Sequence, residues 1–141
     1  MNILGISCYY HDSAAALIQD GKIVAAAQEE RFTRKKHDYN FPSKAINYCL
    51  SAGSLRPEEI DYVVFYEKPF LKFERILETY LDTAPFGFNN FRHSLPVWVK
   101  EKLFQKSEII KALKSIGVEG IDSSKILCSE HHLSHAASAF Y

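Results

Sequence analysis

Ala14-Ala15-Ala16-Leu17-Ile18-Gln19-Asp20-Gly21-Lys22-Ile23-Val24-Ala25-Ala26-Ala27 is the stretch that decides the fold class. Two apolar runs, Ala14 to Ile18 and Lys22 to Ala27, flank Asp20-Gly21. Asp-Gly between apolar runs is a strong hairpin signal, because a type I′ turn needs positive φ at both central positions. Upstream, Ile3 to Cys8 is another short apolar run and reads as a buried strand. The link between them, Tyr9-Tyr10-His11-Asp12-Ser13, is polar and tight. The first thirty residues therefore predict a three-stranded antiparallel meander.

Downstream the periodicity changes. Glu29 to Asn40 is polar, charged and reads as irregular. Pro42 marks a helix start and Gly53 its end, with Ala45, Ile46, Cys49 and Leu50 on one face. Arg56-Pro57-Glu58-Glu59 reads as a short capping turn, and Tyr62 to Tyr66 as a fourth strand. Phe70, Phe73, Leu77, Tyr80 and Leu81 form an amphipathic stripe, followed by a breaker-rich stretch from Pro85 to Ser94. A helix is expected from about Leu95 to Ile116, a loop over Gly117 to Ser124, and a fifth strand over Ile126 to Cys128. A last helix starts near the histidines that follow. The sum is an α/β domain, or part of one: a mixed sheet opening with a meander, with helices packed on it.

Composition narrows the function classes. At 47 % hydrophobic and 24 % charged, the 141 residues suit a folded domain. Lys+Arg and Asp+Glu are both 17, so the basic excess of a nucleic-acid binder is missing. The one dense basic run, Arg31-Phe32-Thr33-Arg34-Lys35-Lys36, reads as a local anion clamp or a solvated face. Three cysteines without metal-type spacing suit a reducing compartment. No apolar run approaches the ~20 residues of a membrane span, and the first residues do not resemble a signal peptide. A cytoplasmic protein with neither nucleic-acid nor membrane contact is the expectation. The last residues, Ala136-Ala137-Ser138-Ala139-Phe140-Tyr141, lack any helix stop, so a fragment is expected. An apolar face and a sheet edge left uncovered would then favour self-association.

Three groups of residues can carry chemistry. In Glu130-His131-His132-Leu133-Ser134-His135, the spacing puts either His131 or His132 on one helix face with His135. Two imidazoles so placed can hold one metal ion. A zinc protease needs Glu after the first histidine, and His132 stands there instead. The loop His11-Asp12-Ser13 can turn backbone N–H groups toward an anion. Arg31 and Arg34 can fork onto phosphate. None of the six glycines fits a phosphate-loop or dinucleotide pattern.

Taken in order, three motifs resemble the O-carbamoyltransferases of nodulation-factor and antibiotic biosynthesis. They are Ile3-Leu4-Gly5-Ile6 leading to His11-Asp12-Ser13-Ala14-Ala15-Ala16-Leu17, then Glu29-Glu30-Arg31-Phe32-Thr33-Arg34-Lys35-Lys36, and finally Glu130 to Tyr141. The resemblance implies a ribonuclease-H-like, actin-like ATPase superfamily domain, of which residues 1–141 are the N-terminal portion. The rest of that domain and a C-terminal adenylating domain lie outside the chain. The implied reaction uses ATP and carbamoyl phosphate to form carbamoyl adenylate, then moves the carbamoyl group to a hydroxyl of a small acceptor. The resemblance assigns His131 and His135 to a divalent metal ion, Fe2+ in that family. It places His11 and Asp12 in the catalytic loop, with Ser13, Arg31 and Arg34 as cofactor-binding candidates. The family's carboxylate metal ligands have no counterpart here, so the 141 residues alone are expected to be inactive. The rival readings are a threonylcarbamoyl-transfer protein acting on tRNA and a non-catalytic nucleotide- or partner-binding remnant.

Overall fold

A computed structural model describes residues 1–10, 12–84, 86–89, 91–93, 95–96 and 104–137. The opening meander forms where the hairpin signal placed it. β1 (Asn2–Ser7) pairs antiparallel with β2 (Ala14–Gln19), and β2 with β3 (Lys22–Gln28). Asp20 and Gly21 take φ of 49° and 80°, the two positive values that a type I′ turn demands.

β4 (Tyr62–Phe65) runs parallel to β1, and β5 (Ile126–Cys128) parallel to β4. The strand order is β3-β2-β1-β4-β5, with β2 alone opposed to the rest. This is the expected mixed α/β sheet, in the ribonuclease-H-like order.

Alternation along the strands buries one face. Leu4, Ile6, Cys8, Ala15, Leu17, Val63, Phe65 and Ile126 form its core. α2 (Ser43–Ala52) lays Ala45, Ile46, Cys49 and Leu50 against β2 and β3. A further helix, α4 (Gln105–Ser115), adds Ile109 and Leu113 to the same cluster. The opposite face carries small side chains, Gly5, Ala14, Ala16 and Ala26 among them. Beside α5 (His131–Ala137) it forms an open apolar groove of about 930 Å³.

Some elements differ from the expectation. The stretch read as irregular after Glu29 contains one helical turn, α1 (Glu30–Thr33), closed by the Phe32 and Thr33 N–H groups donating to the Glu29 carbonyl. α3 (Pro69–Thr83) opens on a proline, whose fixed φ suits the first turn. Of its apolar stripe, Leu77 and Leu81 are exposed rather than buried. Residues 88–89 and 91–93, inside the breaker-rich stretch, are helical. Tyr80 stacks on Phe91 with centroids 4.3 Å apart and meets Phe88 at 6.2 Å, so aromatic packing folds this segment onto α3. The expected helix from Leu95 to Ile116 appears as α4 at its end; residues 97–103 lie outside the described residues. No described helix is long and apolar enough to cross a membrane.

Candidate functional site

β1, β4 and β5 point the same way, so their carboxyl ends share one edge of the sheet. Ligand crevices in open α/β sheets form at that edge, where neighbouring strands lead off in opposite directions. β1 leads toward β2 on one side, and β4 lies toward β5 on the other. A cleft of about 230 Å³ opens there, lined by Tyr10, Glu67, Lys68, Arg75, Glu130, His131 and His132. Three chain segments that are distant in sequence therefore meet at one place.

His131 and His132 line this cleft, and His135 follows one turn further along the helix. His131 and His135, one turn apart on α5, bring their Nε2 atoms to 3.1 Å. His132 instead meets the His131 ring edge-on, with centroids 5.7 Å apart. The structure thus brings the His131 and His135 rings into contact through their Nε2 atoms. The helix is rooted from below. Ser134 Oγ donates to the carbonyls of Tyr66 and Glu130, each at 3.1 Å, and the Tyr66 ring lies 5.8 Å from that of His131. Lys68 Nζ reaches Glu130 Oε1 at 3.2 Å, tying the end of β4 to the start of α5.

The pair fits a shared cation. Two imidazole nitrogens bonded to one ion at about 2.1 Å and near a right angle stand about 3.0 Å apart. Without an ion the same separation is a hydrogen bond, one ring donating and the other accepting. Among the described residues no set of three or more His, Cys, Asp or Glu side chains could hold a metal. The described residues therefore supply at most two candidate ligands, His131 and His135.

Asp12 and Ser13 sit in the loop after β1, whereas His11 lies outside the described residues. Ser13 is buried, and both of its donors are committed to the Asp38 carbonyl, N–H at 2.7 Å and Oγ at 2.9 Å. Asp12 Oδ1 meets His37 Nδ1 at 3.0 Å. Arg31 and Arg34 are exposed and do not line the cleft. Sequence reading missed Tyr10, Glu67, Lys68 and Arg75. The usable signal was positional: Glu67 and Lys68 directly follow a strand whose parallel neighbours end beside the histidines.

Burial tunes several side chains around the site. It pushes the Tyr9 phenol up to about 12. It raises Tyr66 further, helped by the neighbouring Glu67 carboxylate. Both phenols therefore stay protonated at neutral pH and serve as packing and hydrogen-bonding groups rather than bases. Burial also raises the Cys49 and Cys128 thiols, which disfavours their thiolate forms.

A strand-edge cleft with a helix of histidines at its rim defines an α/β domain with a candidate ligand site. The family described as Carbamoyltransferase N-terminus matches residues 2–141, and the chain belongs to that family. An uncharacterized protein of Synechocystis sp. (strain PCC 6803) is 57 % identical over 141 residues, covering 99 % of this chain and 23 % of that protein. Nodulation protein NolNO of Sinorhizobium fredii is 33 % identical over 132 residues, covering 94 % of this chain and 18 % of its own length. An uncharacterized protein of Methanocaldococcus jannaschii is 46 % identical over 61 residues, 43 % of this chain and 11 % of that protein. The chain thus spans less than a quarter of the length of these curated relatives.

Proposed function

We propose that this chain supplies the metal-binding and transfer-loop part of an ATP-dependent O-carbamoyltransferase acting on a small hydroxylated acceptor. The observation that carries the reading is the His131–His135 pair, Nε2 to Nε2 at 3.1 Å, beside a cleft at the carboxyl edge of the sheet. Family membership gives the reaction class; the acceptor, the nucleotide and the metal are the proposal.

In this reading carbamoyl adenylate presents its carbonyl carbon to the acceptor. The acceptor oxygen forms the new C–O bond, the C–O bond to AMP breaks, and AMP leaves with the electron pair. His11 takes the acceptor's proton, since an imidazole titrates near neutral pH. Asp12, beside it in the same loop, holds the carbamoyl group. Lys68 and Arg75 supply positive charge to the cleft. His131 and His135 hold a divalent cation, Fe2+ in the resembled family, which when bound offsets the charge developing on the leaving phosphate.

Metal analysis by mass spectrometry tests the reading. The 141-residue chain should carry metal weakly, and a full-length protein bearing this sequence about one ion per chain, lost in His131→Ala and in His135→Ala. Full retention in either variant refutes the histidine assignment. Absence of carbamoyl-phosphate-dependent AMP release by the full-length protein refutes the reaction.

A further inference from the structure

We propose that His37 is a positioning residue for Asp12, fixing one carboxylate oxygen so that the other is held toward the carbamoyl group. The inference rests on the transfer-loop reading of His11-Asp12 given above. It also gives a role to the charged segment after β3.

The contact itself is His37 Nδ1 to Asp12 Oδ1, 3.0 Å. The His37 side chain is 78 % exposed and that of Asp12 39 %. A pair so open to water adds little to stability. Its surroundings are nevertheless built. Both ends of the β1–β2 loop are tied to the two residues that follow His37. Tyr9 N–H donates to the Tyr39 carbonyl at 2.7 Å, and Ser13 donates twice to that of Asp38. Asp38 is itself buried and accepts from the Asn40 backbone and side chain at Oδ1. The imidazole of His37 bridges the span between the two ties.

Backbone conformation points the same way. Among the described residues, five non-glycine residues have positive φ, and three of them, Tyr9 (71°), Arg34 (58°) and His37 (54°), belong to these two segments. Left-handed backbone at a non-glycine residue persists where surrounding contacts over-determine it, and such sites cluster at functional loops. The His37 N–H faces Glu30 Oε2 at 3.4 Å, so the turn carrying it is held from α1 as well. The conformation delivers the ring to Asp12.

The chemical consequence concerns Asp12 Oδ2, which takes no partner among the described residues. With Oδ1 held by an Nδ1–H donor, the carboxylate can no longer rotate freely, and Oδ2 becomes an acceptor of fixed direction. A carbamoyl –NH2 carries only donors there, so a fixed carboxylate oxygen is its complement. Positioning of this kind acts on the transition state rather than on the binding of distant parts of the substrate.

The test uses a full-length protein with this N-terminal sequence, ATP, radiolabelled carbamoyl phosphate and the best acceptor from a panel of sugars and polyols. His37→Ala should lower kcat roughly 10- to 100-fold, with KM for carbamoyl phosphate and ATP unchanged within about twofold. His37→Asn, whose side-chain N–H2 can stand where Nδ1–H stands, should recover most of that loss. Asp12→Asn should fall at least as far as His37→Ala. Parental kcat in His37→Ala beside a crippled Asp12→Asn overturns the role of His37 alone. Parental kcat in Asp12→Asn overturns the transfer-loop reading and this inference with it. If His37→Asn is no better than His37→Ala, a donor at that position is not what matters. Independently of activity, nitrogen NMR of the 141-residue chain should show the neutral His37 ring carrying its proton at Nδ1, a preference lost in Asp12→Asn. A neutral ring protonated at Nε2 in the parent chain overturns the pairing.

Discussion

Removing the buried Glu29 carboxylate should destabilise the protein, because it caps a helix from a distance. α2 begins at Ser43 after Pro42, and its first turn has no side-chain cap of its own. Glu29, 3 % exposed at the end of β3, fills that place. Its Oε1 accepts the Lys44 N–H at 3.2 Å and its Oε2 the Ala45 N–H at 2.8 Å. Glu29→Ala leaves the N–H of fully buried Ala45 without a partner, about 1–3 kcal/mol, and removes an anion from a helix N-terminus, about 1–2 kcal/mol in a buried setting. The expected loss is about 3 kcal/mol, from a total on the order of 5–15. For a chain of this length that is a fall in Tm of about 10 °C. Glu29→Gln keeps one acceptor oxygen and loses only the charge, so it should cost roughly half as much. Urea unfolding followed by circular dichroism measures both. A Glu29→Ala variant within about 0.5 kcal/mol of the parent would show that water replaces the cap and refute the reasoning. Equal losses in the two variants would refute the division between acceptor and charge.

Two further outcomes follow from the packing and the charges. Gly53→Ala should cost about 1–3 kcal/mol by the same assay, because a Cβ there meets the Leu17 side chain at 2.5 Å and Leu17 is wholly buried; an unchanged urea midpoint contradicts this. Acid should unfold the protein from about pH 4 downward. Asp38 is held below the usual carboxylate range, chiefly by the Asn40 N–H, and Asp122 by Ser124. A depressed folded value means stability that is present above the unfolded pKa and lost as pH falls through the folded one. Asp38→Asn should therefore flatten the acid limb of stability against pH, and an unaltered limb counts against it.

The fold was legible where local signals decide. Asp20-Gly21 can form only a tight turn, and the alanine-rich runs beside it have nowhere to go but into paired strands. The helix from Ser43 to Ala52 declared itself by spacing, with Gly53 close behind. Legibility failed where one part of the chain packs on another. Nothing within Pro85 to Ser94 reveals that Phe88 and Phe91 will find Tyr80, so punctuating residues outweighed aromatic contact. α1 was missed for the opposite reason, since a single turn leaves no periodicity to read. The remote cap by Glu29 is likewise invisible in sequence, because it depends on where β3 ends relative to α2.

The site divides along the same line. The i, i+4 spacing identified two imidazoles on one helix face, yet spacing alone sets only the Cβ separation, about 5–6 Å. Nitrogen atoms 3.1 Å apart require both rings to turn inward, and that is decided by neighbours outside the helix. The Tyr66 ring lies against His131, and Ser134 fastens the next turn to the Tyr66 carbonyl. Ser134 is therefore more than a small residue between histidines: its hydroxyl fixes how far α5 stands from the end of β4. The parallel register of β4 and β5, Phe65 beside Cys128, then brings Glu67 and Lys68 to the same edge as Glu130 and His131. Shifting that register by one residue would move Tyr66 to the other face and take the support from His131 with it. The histidine motif is thus only the visible part of a site whose geometry is held by the strand beside it.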